Sequence, residues 1–145
     1  FAKSVDPIFT QDITITRQAR TNESDSATMG RKSIVPYGLY RADGYVSAML
    51  AQKITKFSEE DLELLWKAII NMFEHDRSAA RGKMCVRKLY VFKHDSLLGN
   101  APANVLFDKI VISKKDGVEV PRSFNDYEIT VDKNMPEGVE LQEKS

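Results

Sequence analysis

A chain of 145 residues, 42% hydrophobic and 29% charged, is large enough to build one core without disulfide or metal staples. Its 21 Lys and Arg balance its 21 Asp and Glu, so the net charge is zero and the bulk balance points to no nucleic-acid partner. Cys85 is the single cysteine, which excludes an internal disulfide and fits a reducing cytoplasm. No apolar run approaches the about 20 residues that span a bilayer, and no signal-like start is present, so no membrane partner is expected. The first residue is Phe, which reads as a processed or truncated chain.

The first nine residues carry Val5, Ile8 and Phe9, with Pro7 limiting them to an edge or a short strand. Ile13 and Ile15 alternate with Thr14 and Thr16, the pattern of a half-buried strand. Residues 21–27 hold no large apolar side chain that could offset the entropy of ordering, so they read as a flexible tip. The span 10–35 is therefore a long excursion of the kind that is usually functional or disordered. It carries Arg17, Arg20, Arg31 and Lys32, and Met29 stands beside Gly30.

Residues 37–46 are β-rich, with Gly38 and Gly44 marking a bulge or a close approach, and 47–54 suit a short helix with Met49 and Leu50 facing inward. The strongest signal follows. Ser58 and Asp61 form a capping-box-like start, and Leu62, Leu65, Trp66, Ile69, Met72 and Phe73 recur at helical spacing, with Gly82 as the stop. Residues 85–93 read as a strand opened by a core Cys85, and 105–112 and 127–131 as two more, with Asp116-Gly117 turning between the last two.

The zero net charge conceals a segregation. Arg77, Arg81, Lys83, Arg87, Lys88 and Lys93 crowd the middle, whereas Asp116, Glu119, Asp126, Glu128, Asp132, Glu137, Glu140 and Glu143 dominate the tail. Tyr90 and Phe92, alternating beside Arg87 and Lys88, suit an aromatic and basic face for RNA stacking, or simple packing on the main helix. Catalysis has little support. His75-Asp76 lacks the further ligands of a metal site, no nucleophile elbow or phosphate-binding glycine loop is present, and no cofactor is expected.

Several runs are recognisable together: Ser4 to Pro7, Ile15-Thr16-Arg17, Thr28 to Lys32, Val35 to Arg41, Phe73 to Gly82 and Gly99 to Ala103. They resemble the backbone subunit of type I-C CRISPR Cascade, the Csd-type branch of the Cas-seven family, and the resemblance is to its C-terminal half, from Phe1 to about Val131. It implies an α+β fold: a partial RRM-like, ferredoxin-like palm with an antiparallel sheet, one main helix and a long β-hairpin thumb. The thumb would be 10–35, the palm's strand-helix-strand 36–93, and the C-terminal strands and acidic tail 94–145.

The function so implied is sequence-independent binding of CRISPR guide RNA in the cytoplasm, by a non-enzymatic subunit that polymerises into a helical filament. Other Cascade subunits and, in the assembled complex, target DNA would be further partners. Arg17, Arg20, Arg31, Lys32 and Arg41 would meet phosphates, and Met29 would wedge between bases. Arg77, Arg81, Arg87 and Lys88 would form a second patch for the guide or a neighbouring subunit. Two alternatives stand beside this: a subunit-contact segment whose acidic tail docks on a neighbour's basic patch, and an RNA-processing nuclease using His75 or His94.

Overall fold

A computed structural model describes residues 2–17, 28–78 and 81–145. The chain is α+β: among the described residues, helices are interspersed with four two-stranded sheets. It divides into two compact units, Phe1–Ala42 with Ile112–Glu128, and Asp43–Val111 with Ile129–Ser145.

In the first unit, β1 (Ala2–Ser4) pairs antiparallel with β4 (Tyr40–Ala42), setting Lys3 opposite Arg41. Between them β2 (Gln11–Arg17) and β3 (Thr28–Ile34) form the hairpin expected for the excursion 10–35. The Ile-Thr alternation of β2 supplies the β-branched residues that fit a pleated strand. Register is reinforced where the Ser33 hydroxyl donates to Asp12 Oδ1 at 2.5 Å. Tyr127 is the buried residue of this unit, its ring 6.5 Å from that of Tyr37.

The second unit is built around α2 (Glu59–His75). Its start is the expected capping box: the Ser58 hydroxyl accepts from the Asp61 amide at 3.1 Å, while Asp61 Oδ2 accepts from the Ser58 amide at 2.9 Å. Glu59, Glu60 and Asp61 place negative charge at the positive end of the helix dipole. Leu62, Leu65, Trp66, Ile69 and Phe73 form the half-buried stripe, whereas Met72, expected on it, is exposed.

The helix stops seven residues before Gly82. Arg77 folds back so that its Nε donates to the Glu74 carbonyl at 3.1 Å and its Nη2 pairs with the Glu74 carboxylate at 2.6 Å. One side chain thus satisfies an orphan carbonyl and a last-turn acid, and the backbone leaves helical angles at Asp76. Gly82 does adopt a positive φ of 58°, but within the loop beyond the helix.

Before α2, α1 (Ala48–Leu50) runs into a π-helical turn at Ala51–Thr55; Met49 is half-buried, but Leu50 is exposed rather than inward-facing. After α2, the strand expected from Cys85 begins only at Tyr90, as β5 (Tyr90–His94), and Cys85 is exposed rather than in the core. Pairing explains the difference. β5 is matched by β8 (Val139–Glu143) with Tyr90 opposite Glu143, and beyond the Lys144 amide bond to the Leu89 carbonyl no ladder extends to residues 85–88.

The run 105–112, expected as one strand, splits into α3 (Ala103–Phe107) and β6 (Ile110–Lys114). A short apolar run does not distinguish the two by periodicity alone. Here Pro102 starts a helical turn, its carbonyl accepting from the Leu106 amide at 3.3 Å, and Leu106 becomes the most buried side chain. With Ile110 and Val139 it makes the core of this unit. β6 pairs with β7 (Tyr127–Val131), the strand expected at those residues.

Candidate functional site

The antiparallel register of the hairpin decides what its cations can do. Residues directly opposite in a ladder share a face. Asp12 and Thr14 therefore line one face with Ser33, Arg31 and Met29, and Ile13 and Ile15 line the other with Lys32 and Gly30. Arg31 and Lys32, adjacent in sequence, project to opposite faces. Met29 lies on the Arg31 face and is 71% exposed. Gly30 faces Ile15, and a side chain added there would meet only the Ile15 carbonyl at 3.9 Å, so the Lys32 face has a gap beside Ile15.

Neither Arg31 nor Lys32 has an ion-pair partner among the described residues. Arg17 closes β2 opposite Thr28, with its side chain outside the described residues, and Arg20 lies outside them altogether. Arg41 is half-buried on β4 opposite Lys3.

The second basic cluster is different in kind. Arg77 pairs with Glu74, Arg81 Nη1 with Asp76 at 2.5 Å, and Lys88 with Glu143. The Glu143 hydrogen bond holds the Lys88 ammonium above its ordinary pKa, so it stays charged but occupied. Arg87 stands beside them, also engaged within the chain. The acidic tail is thus partly neutralised inside the molecule, since Glu143 meets Lys88 and Asp132 meets Lys109 at 2.7 Å. On β5, burial pushes the Tyr90 phenol up, and the Phe92 ring packs 6.3 Å from that of Phe107 on α3.

The two histidines do not converge on a reaction centre. His75 ends α2, and His94 Nδ1 accepts from the Asn100 amide at 2.9 Å, which closes the loop after β5. Among the described residues no group of three or more His, Cys, Asp or Glu could hold a metal ion, and no helix is long and apolar enough to cross a membrane.

The first unit holds one further polar cluster. Asp6 lies against the Tyr127 phenol, which burial first and then the Asp6 contact hold well above its ordinary pKa and hence neutral. Lys114 Nζ stands 3.9 Å from Asp6 Oδ1, whereas Asp6 Oδ2 is buried with no hydrogen-bond partner. Neither Asp6 nor Tyr127 was marked as a site residue by the sequence. The signal was there in the Ser4 to Pro7 run, but no spacing rule connects it to residues more than a hundred positions away.

The chain is α+β, and on its antiparallel hairpin Arg31 and Lys32 have no ion-pair partner among the described residues. A family profile described as CRISPR-associated protein Cas7 matches residues 1–132, and the chain belongs to that family. The match includes the hairpin, α2 and all ten candidate residues. No curated protein matches the chain.

Proposed function

We propose that this chain is the guide-RNA-binding part of a type I-C CRISPR Cascade backbone subunit, holding RNA through its phosphates and assembling with copies of itself along the guide. The observation that carries this reading is the pair Arg31 and Lys32, without an ion-pair partner among the described residues, on a hairpin that lies within the family match. Phosphate contacts hold a strand without reading its sequence, as a subunit serving many guides requires. In this reading Met29, exposed on the Arg31 face, contacts bases while Arg31 holds the backbone. In this reading the chain does no chemistry, residues 36–93 belong to an RRM-like palm, and target DNA meets the assembled complex rather than this chain alone.

The test is binding of the full chain to two scrambled single-stranded RNAs of the same length and base composition. Equal affinities, falling linearly on a log scale with salt, are expected; affinities that differ tenfold between the scrambles would contradict the reading.

A second role is favoured for the other cluster by its ion pairs. Arg77, Arg81 and Lys88 are already matched by carboxylates, so they suit a contact with a neighbouring subunit, where paired charges set register, better than phosphate binding.

A further inference from the structure

Gly38 lies in the run Val35 to Arg41, and its backbone angles give no reason for a glycine. Gly82, Gly99, Gly117 and Gly138 are the described glycines with a positive φ, and Gly38 is not among them. The reason is space. A Cβ at position 38 would meet Tyr40 Cε2 at 3.0 Å, Ile8 Cδ1 at 3.3 Å and Tyr40 Cζ at 3.4 Å, closer than the about 3.5–4.0 Å at which carbon atoms pack best. The missing side chain therefore lets the Tyr40 ring settle against the backbone beside Ile8.

The ring is seated but not covered. Tyr40 is 57% exposed, and its side chain makes no hydrogen bond or ring contact among the described residues. On the β1–β4 ladder it shares a face with Ser4, Ala2 and Ala42, all too small to shield it, while Lys3 and Arg41 take the other face. Cations prevail around it in the chain. The described part of residues 1–42 carries Lys3, Arg17, Arg31, Lys32 and Arg41 against Asp6 and Asp12. A ligand suited to this place is flat and apolar where it meets the ring and anionic beyond it. A nucleotide of a single strand has that chemistry.

We infer that Tyr40 is a stacking platform for one base of the bound RNA in each copy. The inference rests on the RNA-binding reading above and deepens it: the hairpin cations hold phosphates, and Tyr40 holds a base. Every base has a π-face, so the platform adds grip without preferring a sequence. It also gives position 38 its task, which is to keep the ring in its seat.

The experiment titrates the full chain into two fluorescein-labelled strands of equal length and reads anisotropy. One is a mixed-sequence RNA; the other is abasic throughout, with the same phosphates and no rings. Tyr40→Leu, which keeps an apolar side chain, is expected to weaken the RNA about tenfold, near the low end for one stacked base, and the abasic strand by less than about twofold. Tyr40→Phe keeps the ring and should hold both affinities within about twofold of wild type. Gly38→Ala should push the ring from its seat and weaken the RNA more than the abasic strand, and it decides the matter if Tyr40→Leu fails to fold. Equal weakening of both strands by Tyr40→Leu, no weakening of either, or a loss in Tyr40→Phe as large as in Tyr40→Leu overturns the platform and leaves the RNA reading standing. Failure of the wild type to bind the RNA overturns both.

Discussion

Arg31 and Lys32 are neighbours in the chain but stand opposite Thr14 and Ile13, on opposite faces of one two-stranded ladder. A single RNA strand running along one face reaches only one of them, and contact with both requires the strand to cross the hairpin or two strands to flank it. Their contributions to binding should therefore be independent. In a double-mutant cycle with Arg31→Ala and Lys32→Ala, the coupling energy is expected to stay within about 0.5 kcal/mol. Coupling above about 1 kcal/mol would place both cations on the same phosphate.

The ion-paired cluster gives the complementary expectation. Replacing Arg77 and Arg81 together by Ala removes cations that Glu74 and Asp76 already neutralise. The salt dependence of RNA binding should stay at the wild-type slope, while self-association measured by sedimentation should weaken. A slope reduced by about 1.4, the value for two phosphate contacts on a single strand, would move this cluster into the RNA interface.

The stripe of α2 should carry the stability of its unit. Ile69 is half-buried on it and Met72 is exposed, although both sit at helical spacing. Ile69→Asp is expected to destabilise by about 2–3 kcal/mol, from lost apolar burial and a half-desolvated charge. Met72→Asp should cost less than about 0.5 kcal/mol. Equal losses for the two in urea denaturation would show that the stripe is misassigned.

The capping box adds a pH signature. The Ser58 amide first, and then its hydroxyl, hold the Asp61 carboxyl below the usual carboxylate range. A lowered folded pKa means that the unfolded chain takes up the proton first. The stabilisation is then complete above about pH 4 and is lost as pH falls through the lowered folded value. Asp61→Asn should accordingly be less stable than wild type at pH 7, with the difference vanishing in strong acid. A gap that persists unchanged at about pH 2 would contradict this account.

What was legible in the sequence followed from local chemistry. The Ile-Thr strand β2, the Ser58 start and the strand at Tyr127–Val131 each rest on neighbours a few residues apart, whereas the hairpin as a whole was expected only from the family resemblance. Two of the differences arise from a distant partner or from a side chain turning back. Arg77 closes α2 ahead of the glycine that looked like its stop, and β8, far along the chain, decides where β5 begins. Val139 to Glu143 alternates Val-Glu-Leu-Gln-Glu, a strand signal obscured by the acidic character of the tail. At the site, the charge of the hairpin was readable, but the opposition of Arg31 and Lys32 needed the register, and the Asp6 cluster needed three segments brought together.

The most direct measurement of the central claim is the salt dependence of RNA binding for wild type and for the Arg31→Ala, Lys32→Ala double variant, with a mixed-sequence single-stranded RNA. If these two cations each meet a phosphate, the double variant should bind more weakly and the slope of log affinity against log salt should fall by about 1.4. An unchanged slope, whatever the loss of affinity, would contradict the account.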